Sequence, residues 1–246
     1  MWLLRNVLVV VKTIKLLVVF ILMAVFNSTQ VLADGTVIDK VYHPYVMSNE
    51  SEFEWRFLSR QTEEGHNLLT QRIAYGQSVA ENIMLEFYVI GDRDEFDDFS
   101  LEAYEIEARW MLTEPGEYWA DWAILGEIEK HHKFNNWEVT GGVLVEKEFG
   151  HTSLTLNMFV IYEWGETLAD EIETEFRLKY RYRWLPELQP AIEVYIGEDY
   201  SGIGPAFMGI HRFSGQKQLK WELAFITGIN KGGKDHSLRF AVEYEF

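Results

Sequence analysis

The sequence predicts an all-β chain, folded as a single transmembrane antiparallel β-barrel of about 12 strands, with 10–14 as the range. Three observations predict it. Segments along residues 51–246 alternate apolar and polar side chains with a period of two, in runs of about the 9–11 residues that a tilted membrane strand requires. The N-terminus carries the pattern of an export signal. Aromatic side chains make up 15% of the chain beside 25% charged residues, and the rings gather at the ends of the alternating segments.

Composition narrows the chemistry. The 246 residues contain no cysteine, which excludes disulfides, thiolate metal sites, cysteine nucleophiles and lipid-modified cysteine anchors. A net charge of −17 argues against a nucleic-acid partner, since phosphate binding needs a basic surface.

Arg5, Lys12 and Lys15 are the only charges before Asp34, and they precede an apolar run from Leu16 to Phe26 and then Val31-Leu32-Ala33. Basic region, short apolar core and small-residue site together read as a signal peptide over 1–33, cleaved after Ala33. The alternative is an uncleaved anchor, for which the run is short of the ~20 residues of a spanning helix. Cleavage removes three basic residues and no acidic one, so the mature chain becomes more acidic still. Residues 34–50 show no clean strand pattern and are expected to form a periplasmic N-terminal arm, followed by the barrel over 51–246.

Within the barrel the clearest strand is Ile172 to Trp184. Ile172, Thr174, Phe176, Leu178, Tyr180, Tyr182 and Trp184 share one face, and Glu173, Glu175, Arg177, Lys179, Arg181 and Arg183 the other. The same alternation runs through Ile83–Val89, Tyr104–Leu112, Leu219–Ile226 and Leu238–Phe246. Weaker versions cover about 52–59, 69–76, 117–128, 137–146, 152–162, 190–197 and 203–213. Turn formers separate them, among them Pro115-Gly116, Gly150, Ser214-Gly215 and Gly232-Gly233.

Alternation alone does not say which face is inside. A soluble sandwich or barrel buries its apolar face, whereas a membrane barrel turns it to lipid. Export and the aromatic strand that closes on Phe246 favour the membrane. So does ring placement. With both termini on the periplasmic side and strands alternating in direction, Trp55, Trp110, Trp122, Trp184, Trp221, Tyr244 and Phe246 fall near the periplasmic boundary. Trp137, Tyr162 and Trp164 fall at the extracellular one. Two such bands match the two lipid interfaces, which makes outer-membrane lipid and lipopolysaccharide the expected surroundings.

Gly202-Ile203-Gly204-Pro205, the strand Lys220-Trp221-Glu222-Leu223-Ala224-Phe225 and the final stretch Asp235 to Phe246 resemble Gram-negative outer-membrane β-barrels. Among these they are most similar to the porin and transporter group associated with meta-pathway phenol degradation. The resemblance implies a bacterial outer-membrane location. It also implies a transient partner, the barrel assembly machinery, which would read the C-terminal strand ending at Phe246. It carries no catalytic motif and no cofactor, and it leaves the solute unnamed.

On this reading the lumen receives Glu86, Glu105, Glu107, Arg109, Arg177, Lys179, Arg181, Arg183, Glu222, Arg239 and Glu243, together with Asp121, Glu127, Glu138, Glu193 and Glu245. Two outcomes stay open. One is a narrow water-filled path in which rings of charge select small solutes or ions. The other is a non-conducting barrel closed by cross-strand salt bridges, presenting acidic loops. Those loops hold Asp92, Asp94, Glu95, Asp97 and Asp98, then Glu163, Glu166, Asp170 and Glu171, then Glu198-Asp199. They read as solvated rather than metal-binding, since no calcium-loop spacing is present. In Lys130-His131-His132-Lys133 neighbouring side chains point to opposite faces and the lysines repel a cation, so no metal site is expected. A third reading, an outer-membrane hydrolase using Asp97-Asp98 with Asp235-His236, or His151 near Ser153, lacks a supporting motif context, and no catalytic residue is expected.

Overall fold

The structure is a computed structural model that describes residues 38–61, 67–93, 98–198, 200–229 and 236–246. The signal expected over 1–33 lies outside these residues, as do Asp94, Glu95, Asp97, Asp199 and Asp235. The strands are β1 Ser51–Gln61, β2 Asn67–Ala80, β3 Ile83–Arg93, β4 Phe99–Met111, β5 Asp121–His131 and β6 Asn136–Phe149. They continue as β7 Thr152–Gly165, β8 Glu171–Tyr182, β9 Gln189–Ile196, β10 Ser201–Arg212, β11 Gln218–Gly228 and β12 His236–Glu245.

Each strand pairs antiparallel with its neighbour in sequence, and β1 pairs with β12, so the sheet closes into a 12-strand barrel with no free edge. The closing seam runs from Glu52 opposite Glu245 to Gln61 opposite His236. It is sealed where Ser51 and Phe246 exchange backbone hydrogen bonds of 3.2 and 2.9 Å. We call that end the near rim and the other the far rim. Gly150 and Gly215 take the positive φ values, 62° and 78°, of tight near-rim connections.

The period-two pattern sorts the faces as the sequence predicts. Phe53, Ile73, Phe87, Ile106, Trp110 and Phe176 are exposed on the outer wall. Their sequence neighbours Glu54, Ala74, Glu86, Glu107, Arg109 and Arg177 are buried inside. A closed barrel with an apolar exterior and a charged interior is the inverse of a soluble barrel.

One part departs from expectation. Of the segment expected as a periplasmic arm, residues 38–46 lie instead in the barrel interior, where Ile38, Asp39, Lys40, Val41 and Tyr42 are all buried, while 47–49 are exposed. The physical reason is in the inner wall. Twelve strands enclose more space than their own side chains fill. Much of that wall is also apolar: Leu58, Tyr195, Ala206, Met208 and Ile226 form one patch, and Ala123, Leu125, Leu144 and Phe159 another. Ile38 and Val41 cover the first patch and Tyr42 the second, removing apolar surface from water.

Candidate functional site

The luminal segment runs from Ile38, near Tyr200 and Ile226 in the far half, to Met47, whose carbonyl accepts from Ser78 Oγ close to the near rim. Its extended backbone cannot pair with itself, so side chains of the wall satisfy it. Asn157 on β7 brackets Tyr42, accepting from its N–H at 2.8 Å and donating to its carbonyl at 2.8 Å. Arg177 donates to the Lys40 carbonyl at 3.0 Å, Lys179 to the Val41 carbonyl at 3.3 Å, and Arg239 to the Asp39 carbonyl. Lower down, the Tyr45 hydroxyl donates to Asp121 at 2.9 Å.

The segment also enters the charge network. The Asp39 carboxylate accepts from Arg56 and lies 3.5 Å from Arg177. Lys40 reaches Glu54 at 2.5 Å and Glu243 at 3.4 Å. Asp39 and Lys40 therefore each complete an ion cluster whose other members sit on the wall. In the β9–β10 connection, burial pushes the Tyr200 phenol up to about 12, so this ring packs beside Ile38 as a neutral group.

All the luminal candidates read from the sequence point inward except Arg183, which follows β8 at the near rim and pairs with Glu148. Arg109 pairs with Glu86 at 2.9 Å, and Glu105 with Arg72 at 2.7 Å. Arg177 pairs with Glu175 at 2.7 Å, and Arg181 with Glu146 at 3.0 Å. Arg239 bridges Glu193 at 2.9 Å and Glu222 at 3.2 Å, while Lys179 reaches Glu222 at 3.2 Å. Glu243 accepts from Lys220 at 2.8 Å. Glu107 differs, being fully buried with no N–H or hydroxyl donor to either oxygen among the described residues.

The alternation did not single out Asp39, Lys40, Tyr42, Arg56, Arg72 or Asn157. Arg56 and Arg72 lie on strands read as weakly alternating, and Asn157 continues an uncharged polar face with Ser153 and Thr155 that gave no reason to single it out. A usable signal was present in β10, where Ile203, Pro205 and Phe207 face out while Ala206 and Met208 face in. An inner wall without polar groups implies something packed on it.

Below the segment, at the near rim, lies a cavity of about 220 Å³ lined by His43, Tyr45, Glu52, Arg109, Lys220 and Glu245 among others. Met47, Met84, Met208 and Ile210 also line it, so it is a mixed vestibule, largely apolar with charged groups, bounded on one side by the luminal segment. The rings occupy the outer wall near the rims, except Trp55, which sits close to the middle of β1. Trp55 and Trp221 flank Val242 of β12, and Trp110, Trp122, Trp184, Tyr244 and Phe246 lie at or beyond near-rim strand ends. At the far rim Trp137 faces Trp164 with ring centroids 6.4 Å apart, and Tyr162 stacks on Trp164 at 5.2 Å.

Other candidates are dispersed. His151 is exposed in the β6–β7 turn, whereas Ser153 is buried inside and accepts from Arg181 at 3.1 Å. His131 faces Glu102 at 3.3 Å, while His132 packs on the outer Tyr104 ring. Asp98 is exposed, and its companions Asp97 and Asp235 lie outside the described residues.

No family model and no curated protein matches the chain. Solved structures do. The COG4313 outer membrane channel from Pseudomonas putida F1 superposes with a TM-score of 0.60 at 11% identity, over 85% of this chain and 98% of that one. The β domain of the Bordetella autotransporter BrkA gives 0.55 at 9% identity, over 81% and 99%. The KdgM porin in complex with disordered oligogalacturonate gives 0.52 at 9%, over 79% and 98%. At these identities the likeness is one of fold, the closed antiparallel β-barrel that these outer-membrane proteins share with this chain.

Proposed function

We propose that this protein is a porin-like β-barrel of the bacterial outer membrane, giving passive passage to small solutes or ions, with its luminal segment as a removable plug. The observation that carries this reading is the way Ile38–Val46 is held. Hydrogen bonds, ion pairs and apolar contacts hold it, and the sequence has no cysteine to tie it to the wall. Signal cleavage after Ala33 would leave this segment tethered to the barrel only at Ser51, able to withdraw towards the near rim without unthreading. Displaced, it would uncover Arg56, Arg177, Lys179 and Arg239 on one side and the carboxylates of β3–β6 on the other, a charged path of the kind that selects among small solutes.

The C-terminal motif supports placing the chain beside the porin group associated with meta-pathway phenol degradation, with the assembly machinery as a transient partner at the strand ending in Phe246. The aromatic bands support lipid and lipopolysaccharide as its surroundings. A second reading, a non-conducting structural barrel, is favoured by the ion pairing of nearly every luminal cation. Planar-bilayer conductance of the mature chain and of a variant lacking residues 34–47 separates the two. A channel expects larger and steadier conductance from the deletion. Silence from both supports the structural barrel.

A further inference from the structure

On the wall formed by β3, β4, β5 and β6, carboxylates meet in register. Glu86 is directly opposite Glu107, and Glu107 is directly opposite Glu127. One pair along, Glu105 faces Glu129, which faces Glu138. Like charges directly opposite one another destabilise a sheet, so this wall needs positive charge. The nearby cations each already have a carboxylate partner, Arg109 of β4 on Glu86 and Arg72 of β2 on Glu105.

An independent observation locates the unmet need. Glu107 is fully buried, and among the described residues no N–H or hydroxyl donates to either of its carboxylate oxygens, its close neighbour being the Glu86 carboxyl. A buried carboxylate left in that state is strongly disfavoured unless it is paired, protonated or bound to a metal. One carboxylate oxygen from each of Glu105, Glu107 and Glu127 lies within 4.8 Å of the others. Oxygens bound to a single Ca2+ at about 2.3–2.6 Å are separated by up to about 5 Å, so the three can converge on one ion.

We infer that Glu105, Glu107 and Glu127 form a binding site for one divalent, oxygen-preferring cation on the inner wall of the barrel, with Ca2+ the best fit. The donor set is entirely carboxylate, which selects hard cations over zinc or copper. Ca2+ tolerates irregular geometry and remaining water ligands, whereas Mg2+ demands a near-ideal octahedron. Bound there, the ion would join β4 to β5 and cancel repulsion inside the wall. The site is independent of whether the lumen conducts, because it belongs to the wall and not to the luminal segment.

The test uses the mature full-length protein refolded in detergent and stripped with EDTA, with CaCl2 as the probe. Calorimetric titration should show one stoichiometric site, and Ca2+ should raise the melting temperature over EDTA. Glu107→Gln keeps the side chain's shape and removes its charge, so the barrel should fold, bind Ca2+ more than about tenfold more weakly and lose the Ca2+-dependent rise in melting temperature. Glu127→Gln should do the same, while Glu171→Gln in β8, away from the cluster, should bind as the parent does. Undiminished binding in both cluster variants would assign the ion to other acidic groups and overturn the proposal. A melting temperature indifferent to Ca2+ but raised by acid would overturn it in favour of shared protons.

Discussion

Asn157 holds Tyr42 by both of its backbone groups, with one 2.8 Å hydrogen bond in each direction. A buried amide is suited to this because it offers an acceptor and a donor side by side, which repeats the pairing of a neighbouring strand. β7 thus clamps the luminal segment at one residue without adding it to the sheet.

Asn157→Ala should loosen that clamp. Two hydrogen bonds at about 1 kcal/mol each amount to roughly 2 kcal/mol, or about a 30-fold rise in the withdrawn population. Since the chain has no cysteine, Val41→Cys supplies a single reporter thiol, buried while the segment is in place. Its maleimide labelling should speed up by a comparable factor when Asn157→Ala is added. Equal labelling rates would show that the segment does not depend on this contact.

Asp39 places a carboxylate between Arg56 and Arg177. Asp39→Asn removes that charge and leaves the two guanidinium groups less compensated, so the lumen gains one net positive charge. The zero-current potential of single channels across a KCl gradient should move towards chloride preference, because a fixed charge in a narrow path attracts counter-ions. An unchanged potential would mean that permeating ions do not pass this cluster.

Much of this was legible in the sequence because of one geometric rule. In β8, Arg177, Lys179 and Arg181 alternate with Phe176, Leu178 and Tyr180 without exception, and a period of two fixes both strand and face. The same rule carried Glu86 and Glu107 to the inner wall. The luminal position of Asp39 and Tyr42 was not legible, because nothing local in Ile38–Val46 marks it as buried. Its environment is assembled from β1, β7, β8, β9 and β12, whose contributions meet only after the barrel closes. Ala206, Met208, Ala224 and Ile226 blur the alternation for the same reason, since they are apolar on a face where water would demand polar groups.

Arg239 joins Glu193 and Glu222 across β9, β12 and β11, and is 1% exposed. Arg239→Met should cost about 3–5 kcal/mol, since it leaves buried carboxylates without their partner. Combining it with Glu193→Met should restore a large part of that loss, because an apolar pair of similar volume leaves less charge uncompensated. Urea unfolding in lipid vesicles measures both, and an Arg239→Met barrel as stable as the parent would show that the cluster is solvated.

Phe176 lies at the middle of β8 on the outer wall, opposite Met158 of β7 and Ile196 of β9. Its ring is 39% exposed, although Arg177 beside it is buried. If that outer face meets lipid, Phe176→Arg places a charge near the bilayer midplane and should destabilise the barrel by about 2–4 kcal/mol. Phe176→Leu keeps the position apolar and should be nearly neutral. Were the barrel soluble, the arginine would be the better tolerated of the two, because it would replace an exposed ring with a hydrated side chain. Urea unfolding of both variants in lipid vesicles, beside heat-modifiable migration on gels, decides the sign. A Phe176→Arg protein that folds without lipid or detergent would reverse the assignment of the two faces.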